Sequence, residues 1–88
     1  MAQPLTPAER AGRVVDAAGR PVPYATVVIV AGTTPMPEIA LRGDAEGRFG
    51  LRLPTGEFTL RAYGPAGTGD ARVEGGAATD EIVITIGE

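Results

Sequence analysis

The side chains of this sequence that could take part in chemistry are carboxylates, arginines and threonines. The 88 residues include no Ser, Cys, His, Lys, Asn or Trp. Nucleophilic catalysis needs an activated Ser, Cys, Thr or Lys, usually beside a His or Lys base. Structural zinc sites use Cys and His, and catalytic zinc sites almost always include His. The residue types present therefore predict a protein that is not an enzyme and that binds no metal or other cofactor.

Three acidic residues nevertheless offer the oxygen ligands that Ca²⁺ prefers, namely Asp44 and Glu46, joined by Asp16. Asp16 comes three residues before Gly19, and Asp44 comes three residues before Gly47. Asp at the start of a turn and Gly at its left-handed position are residues that turns select. We therefore expect these carboxylates to be solvated turn residues, and the calcium site is the alternative.

The arginines could bind an anion. The net charge is −3, and all eight basic residues are Arg, spread along the chain without a run. Nucleic-acid surfaces are normally basic and clustered, so nucleic acid is not an expected partner. Arg48, Arg52 and Arg61 are predicted to share the outer face of one hairpin, where they could bind a carboxylate or an acidic partner. The alternative is a solvated face that discourages edge pairing. Arg42-Gly43-Asp44 spells an integrin-recognition tripeptide, but we interpret it as a strand end entering a turn.

The sequence offers no segment suited to membrane insertion. Its longest uncharged stretch, Pro21–Pro37, contains four prolines and three threonines and is therefore not a membrane span. The first twenty residues lack the apolar region of a secretory signal. We expect a cytoplasmic protein if the chain is full-length, and an extracellular one if the chain is a piece of a longer exported protein.

The elements that must position these side chains are predicted to be short β-strands in one domain. From Arg48 to Leu53 apolar residues alternate with Arg or Gly, and Phe58–Ala62 alternates again after a Pro-Thr-Gly turn. Glu81–Ile86 is predicted to bury its three isoleucines. About seven such strands, spaced 8–12 residues apart, predict an all-β, seven-stranded antiparallel sandwich of two sheets. We assign residues 1–10 to a flexible tail and residues 11–88 to the sandwich.

Several blocks of the sequence resemble the carboxypeptidase regulatory-like domain. From Gly12 to Val27 the chain reads GRVVDAAGRPVPYATV, which is similar to the opening G-x-V-x-D-x-x-G-x-P-V-x-x-A-x-V of that family. DAEGRF from Asp44 and LPTGEFTL from Leu53 resemble its D-x-x-G-x-F and L-P-x-G-x-F-x-L blocks. The resemblance covers about residues 11–64. It implies a transthyretin-like sandwich that is appended to other machinery or assembles with it.

The resemblance also separates this chain from catalytic and crosslinked relatives of the fold. Transthyretin-like hydroxyisourate hydrolases use His, and the related ring-cleaving dioxygenases hold iron with His and Tyr. Pilus modules of this general shape often carry a Lys–Asn isopeptide bond. The sequence contains no His, Lys or Asn, which excludes all three functions.

The predicted function is a non-catalytic module for protein–protein interaction or structural assembly. Strand alternation places four valines outward, and together they would make an apolar patch for a partner: Val15, Val28, Val30 and Val83. The partner would be another protein, a larger assembly or a second copy of the chain. The alternative function is a carbohydrate- or small-ligand-binding domain that uses the sandwich-end loops. It predicts that Tyr24, Tyr63 and the Thr33–Glu38 loop lie together at one end.

Overall fold

The computed structural model describes residues 9–33, 40–76 and 80–87, and within them it contains seven strands and no helix. The strands are β1 Glu9–Val15, β2 Thr26–Gly32, β3 Ala40–Arg42, β4 Arg48–Arg52, β5 Glu57–Gly64, β6 Gly67–Glu74 and β7 Ile82–Thr85.

The strands form the predicted two-sheet sandwich. One sheet has three strands in the order β4-β1-β7, and the other has four in the order β3-β2-β5-β6. The pairings are antiparallel except between β1 and β7, which run parallel. Because β1 lies between β4 and β7, the start of the domain is the central strand of its sheet.

The core fills the space between the sheets with the residues that alternation assigned to it. Phe49 and Leu51 from β4 and Phe58 and Leu60 from β5 all belong to this core, and all four are buried. The isoleucines of the last strand, at positions 82, 84 and 86, are buried as predicted. Each sheet thus presents one apolar face to the other, which is the arrangement that alternating strands require.

The predicted hairpin between β4 and β5 is wrong. β4 pairs with β1, whereas β5 pairs with β2 and β6, so the Leu53–Gly56 connection crosses from one sheet to the other. Leu53 is fully buried at the start of this crossing. Alternation shows which residues point inward, but two inward-facing strands can lie side by side or face each other across the core. β5 is instead joined in a hairpin to β6, through Pro65 and Ala66.

Two glycines make room for the two phenylalanines. Gly12 on β1 is the cross-strand partner of Phe49 on β4, and Gly32 on β2 is the partner of Phe58 on β5. In both pairs a Cβ on the glycine would overlap the aromatic ring. Each ring therefore covers the backbone of its glycine partner, a cross-strand arrangement known to stabilise sheets.

The sandwich is closed along the side where β6 meets β7. Gly69 on β6 lies so close to the Thr85 carbonyl that it has no room for a side chain. Gly87 donates its amide to the Thr68 carbonyl at 3.3 Å. At one end of this side, a buried arginine adds a further connection.

Arg10 is 5% exposed and lies within β1. Its Nη1 donates to the Glu74 carbonyl at 2.5 Å, and its Nε and Nη2 donate to the Asp80 carbonyl at 3.0 and 2.5 Å. β1 begins at Glu9, so residues 9 and 10 belong to the sheet, although the sequence predicts a flexible tail over residues 1–10. Residues 1–8, the rest of that range, lie outside the described residues.

Strand β2 begins at Thr26 and so leaves out the nearby Tyr24. The reason is local, because Tyr24 has a φ of 59° and so cannot belong to a strand. Within the described residues, no helix is long and apolar enough to cross a membrane.

Candidate functional site

The site is built on a turn that occurs twice in the chain. Asp16-Ala-Ala-Gly-Arg20 and Asp44-Ala-Glu-Gly-Arg48 share the pattern D-A-x-G-R. In each, one carboxylate oxygen of the Asp accepts the amides two and four residues later, all at 2.9 Å. The Asp amide also donates to the carbonyl of the Arg, and the Gly amide donates to the Asp carbonyl. Both turns are predicted from the sequence, but their repetition is recognised only in the structure.

These bonds define the chemistry of the two aspartates. Hydrogen bonding from the Arg20 amide is the main influence that lowers the pKa of Asp16, and the Arg48 amide does the same for Asp44. The carboxylate of each aspartate thus accepts hydrogen bonds from the backbone amides of its own turn. Among the described residues no group of three or more acidic side chains is placed to hold a metal ion.

The second turn also fixes the backbone of an aromatic residue. The Tyr24 amide donates to the Asp44 carbonyl at 3.0 Å, and the Gly43 amide donates to the Ala25 carbonyl at 2.8 Å. Between these bonds Tyr24 takes its left-handed conformation, which costs a bulky residue about 1–2 kcal/mol. Tyr24 is the only non-glycine residue of the described ranges with a positive φ. The residue is 53% exposed.

The exposed ring stands in an open groove of about 710 Å³. The Arg42 guanidinium lies over the ring, with its Cζ 5.5 Å from the centroid, a cation–π distance. The lining residues come from the segment before β2, from the end of β3, from the second turn and from β4: Tyr24, Arg42, Gly43, Asp44, Arg48, Phe49 and Gly50. The groove therefore runs between the edge strands of the two sheets, β3 and β4, on the side opposite β6 and β7.

Charge in this groove is opposite in sign to the charge of the chain. Arg42 and Arg48 contribute two cations and Asp44 contributes one anion, whose carboxylate accepts two backbone amides of its turn, so the lining carries one excess positive charge. Within the described part of the chain, neither arginine forms an ion pair. An acidic molecule of net charge −3 thus presents a locally cationic groove. The Arg42-Gly43-Asp44 segment therefore has two structural roles. Arg42 lines the groove, and the Asp44 carboxylate accepts the amides of its own turn.

The predicted valine patch does not exist as one surface. Val15 is 6% exposed, because it lies in the centre of its sheet and bridges Pro21. Val83 is 42% exposed but belongs to the other sheet from Val28 and Val30. Val28 is half-buried beside Ala40, and Val30 is 41% exposed at a β-bulge. Strand alternation cannot decide which strands are neighbours, and β1, which carries Val15, pairs with β4 and β7 and not with β2.

The predicted arginine face is also divided. Arg48 and Arg52 lie on the three-stranded sheet, whereas Arg61 lies on the four-stranded sheet and forms a two-pronged ion pair with Asp70, at 2.7 and 3.0 Å. The pair raises the pKa of Arg61 and lowers that of Asp70. Arg61 is therefore engaged within its own sheet, and of the three predicted arginines only Arg48 lines the groove.

The carbohydrate-binding alternative predicted that Tyr24, Tyr63 and the Thr33–Glu38 loop lie at one end, but Thr33, the described residue of that loop, lies at the opposite end from the tyrosines. Tyr63 pairs with Thr26 at the start of β2, which is the end of the sheet where Tyr24 lies. Thr33 lies beyond the other end of β2, where its amide and hydroxyl bond to Glu57. Thr33 lies nine residues after Tyr24, and the whole of β2 separates the two. Residues 34–38 of the predicted loop lie outside the described residues.

The fold, with its seven strands in two sheets and a central first strand, defines a transthyretin-like β-sandwich. The model of the carboxypeptidase regulatory-like domain matches residues 11–86, and the chain belongs to that family. This confirms the resemblance inferred from the sequence blocks, and the family is a regulatory-like module, not a catalytic one. A search of curated proteins found no match to the chain.

Proposed function

We propose that this domain is a non-catalytic interaction module that docks a partner protein in the groove between β3 and β4. The observation that carries the proposal is Tyr24, an exposed aromatic residue held in an unfavourable backbone conformation beside Arg42. Strained and exposed residues at one place point to a function, because packing alone would select glycine there.

The composition of the groove favours a protein partner. Tyr and Arg are the residue types enriched at the centres of protein interfaces, where each provides a large contact area and a directed polar group. The groove is open and shallow, whereas small-molecule sites enclose most of the ligand surface. The Arg42 guanidinium also occupies one face of the Tyr24 ring, which leaves a single face for stacking on a sugar.

A site-resolved crosslinking experiment in cells of the native source tests the proposal. A photoreactive phenylalanine analogue replaces Tyr24 in one version of the protein and Arg72 in a matched control. Arg72 is exposed on β6, away from the groove. We expect a discrete protein adduct from position 24 and none from position 72. Adding Arg42→Ser and Arg48→Ser should abolish that adduct.

Two results would contradict docking in the groove. One is an equal adduct from both positions, which would indicate general surface contact. The other is an adduct at position 24 that survives the double arginine substitution. If position 24 gave no adduct but a bound sugar were recovered with the protein, the small-ligand alternative would replace the proposal.

A further inference from the structure

We infer that the outer edge of β4 accepts an extended acidic segment of the partner as an added β-strand. This inference rests on the proposed docking function and specifies how the partner binds. Its support comes from the backbone of β4, from the arginines on either side of Gly50, and from the closed edges elsewhere in the sandwich.

The backbone groups of β4 alternate between β1 and the groove. The Val14 amide donates to the Gly47 carbonyl at 2.8 Å, which sets the hydrogen-bonded pairs of the β1–β4 ladder. By alternation, Phe49 bonds to β1, whereas Gly50 and Arg52 direct their amides and carbonyls away from it. Among the described strands β4 pairs only with β1. Two amides and two carbonyls are therefore available to an incoming strand.

The other long edge is not available in the same way. The β6 edge lies against β7, where Gly69 meets the Thr85 carbonyl and Gly87 bonds to Thr68. β3 is an edge of only three residues. An open edge normally invites uncontrolled pairing, and cations on it restrict what can pair.

The side chains of β4 define the segment that fits. Arg48, Gly50 and Arg52 are exposed on the outer face of the strand. A strand placed alongside would set an acidic residue opposite each arginine, separated by three residues. Between them, Gly50 leaves space for a large side chain, just as Gly12 accommodates Phe49 inside the fold. The expected pattern is acidic-x-aromatic-x-acidic.

A second copy of this chain does not fit this edge. An antiparallel pair of β4 strands centred on Gly50 would place each Arg48 opposite the Arg52 of the other copy. Like charges directly opposite one another destabilise a sheet. Each molecule also carries a net charge of −3, so two copies repel at long range. The geometry therefore favours a different, acidic chain.

A peptide titration tests strand addition directly. The probe is acetyl-Thr-Glu-Val-Phe-Val-Glu-Thr-amide, added to the isotope-labelled 88-residue protein and followed by NMR. We expect saturable shifts and slowed hydrogen exchange at the Gly50 and Arg52 amides, and neither at Arg72. A peptide with Lys in place of both Glu should bind about tenfold or more weakly. A peptide N-methylated at Phe keeps its charge but loses a strand donor, and should also bind about tenfold more weakly.

Variants of the protein supply the matched control. Arg48→Glu should weaken binding of the Glu probe and strengthen binding of the Lys probe, while Arg72→Glu should change neither; thermal melts verify that both variants are folded. Equal binding of the N-methylated probe, or shifts confined to residues outside β4, would overturn strand addition. If either of these results were obtained together with a crosslink specific to position 24, the docking function would still be supported and only the strand-addition mode would be wrong. Absence of saturable binding by the Glu probe would also overturn the inference.

Discussion

Tyr24 shows at the scale of one residue how the fold sustains an unfavourable conformation. Its φ of 59° is a value that Gly or Asn adopts at low cost, whereas a tyrosine pays about 1–2 kcal/mol. The hydrogen bond from its amide to the Asp44 carbonyl holds it there. The strain places the ring beside Arg42, outside the core, where it adds little to folding.

The first prediction follows from this strain. Tyr24→Asn should leave the protein as stable as the original or raise its free energy of unfolding by up to about 1 kcal/mol, since Asn tolerates the left-handed region. The same substitution should weaken peptide binding at the groove. Urea unfolding and the NMR titration measure the two effects. A loss of more than about 1 kcal/mol would show that the ring contributes to the fold itself.

Arg10 provides a second prediction at the residue scale, with Arg13 on the same strand as its control. Arg10→Ala should lower the free energy of unfolding by about 2–4 kcal/mol, because it removes charge-assisted bonds to the Glu74 and Asp80 carbonyls. Arg13→Ala removes a half-exposed ion pair with Glu81 and should cost less than about 1 kcal/mol. Urea unfolding of both variants is the measurement, and similar losses would contradict the structural role of Arg10.

At the scale of elements, the two D-A-x-G-R turns differ in what surrounds them. Gly19 and Gly47 hold nearly the same φ, 83° and 76°. A methyl group at Gly19 would meet nothing within 4 Å, whereas one at Gly47 would lie 2.8 Å from the Val14 carbonyl oxygen. The first turn therefore has open space beside its glycine. The second turn packs against β1 and contributes Asp44 and Arg48 to the lining of the groove.

This difference predicts unequal effects of the same substitution. Gly19→Ala should lower the free energy of unfolding by about 1–2 kcal/mol, the cost of a left-handed alanine. Gly47→Ala should cost a further 1–3 kcal/mol, roughly, because the backbone of β1 must shift. Any change in the unfolded chain is equal in the two variants and cancels in the comparison. Equal destabilisation, measured by urea unfolding, would show that Gly47 has more room than the structure gives it.

The elements also show how far the sequence could predict the fold. Alternation correctly assigned Phe49, Leu51, Phe58 and Leu60 to the core, because each strand has one buried face. It could not decide that β4 and β5 lie in different sheets, since sheet membership depends on hydrogen bonding between distant strands. That same ambiguity placed Val15 beside Val28 and produced a valine patch that the sheet order rules out.

At the scale of the whole molecule, the sandwich is closed on one side and open on the other. The β6–β7 side is held by close backbone contacts, while β3 and β4 leave a groove between them. The groove was not predicted from the sequence, because it depends on the left-handed Tyr24 and on two edges brought together by the fold. The one sequence signal that pointed to the groove was the repeated D-A-x-G-R pattern, because Arg48, the last residue of its second copy, lines the groove.

The last prediction concerns how the whole molecule responds to pH. Folding lowers the pKa of Asp16 and Asp44 through backbone amides, and that of Asp70 through Arg61. A carboxyl whose pKa is lower in the folded state stabilises the fold above its unfolded value, near 3.8, and loses that contribution as pH falls through the folded value. The sequence has no His or Cys, so the melting temperature should vary little between pH 5 and 7 and fall below about pH 4.

Asp44→Asn keeps an oxygen that can accept the Glu46 and Arg48 amides but cannot ionise, so the variant should melt below the original protein at pH 6. Because only the original loses the Asp44 contribution in acid, the gap between the two melting temperatures should narrow steadily from pH 5 to pH 2. Melting curves that stay parallel over this range would show that the Asp44 turn does not depend on the charge of its carboxylate.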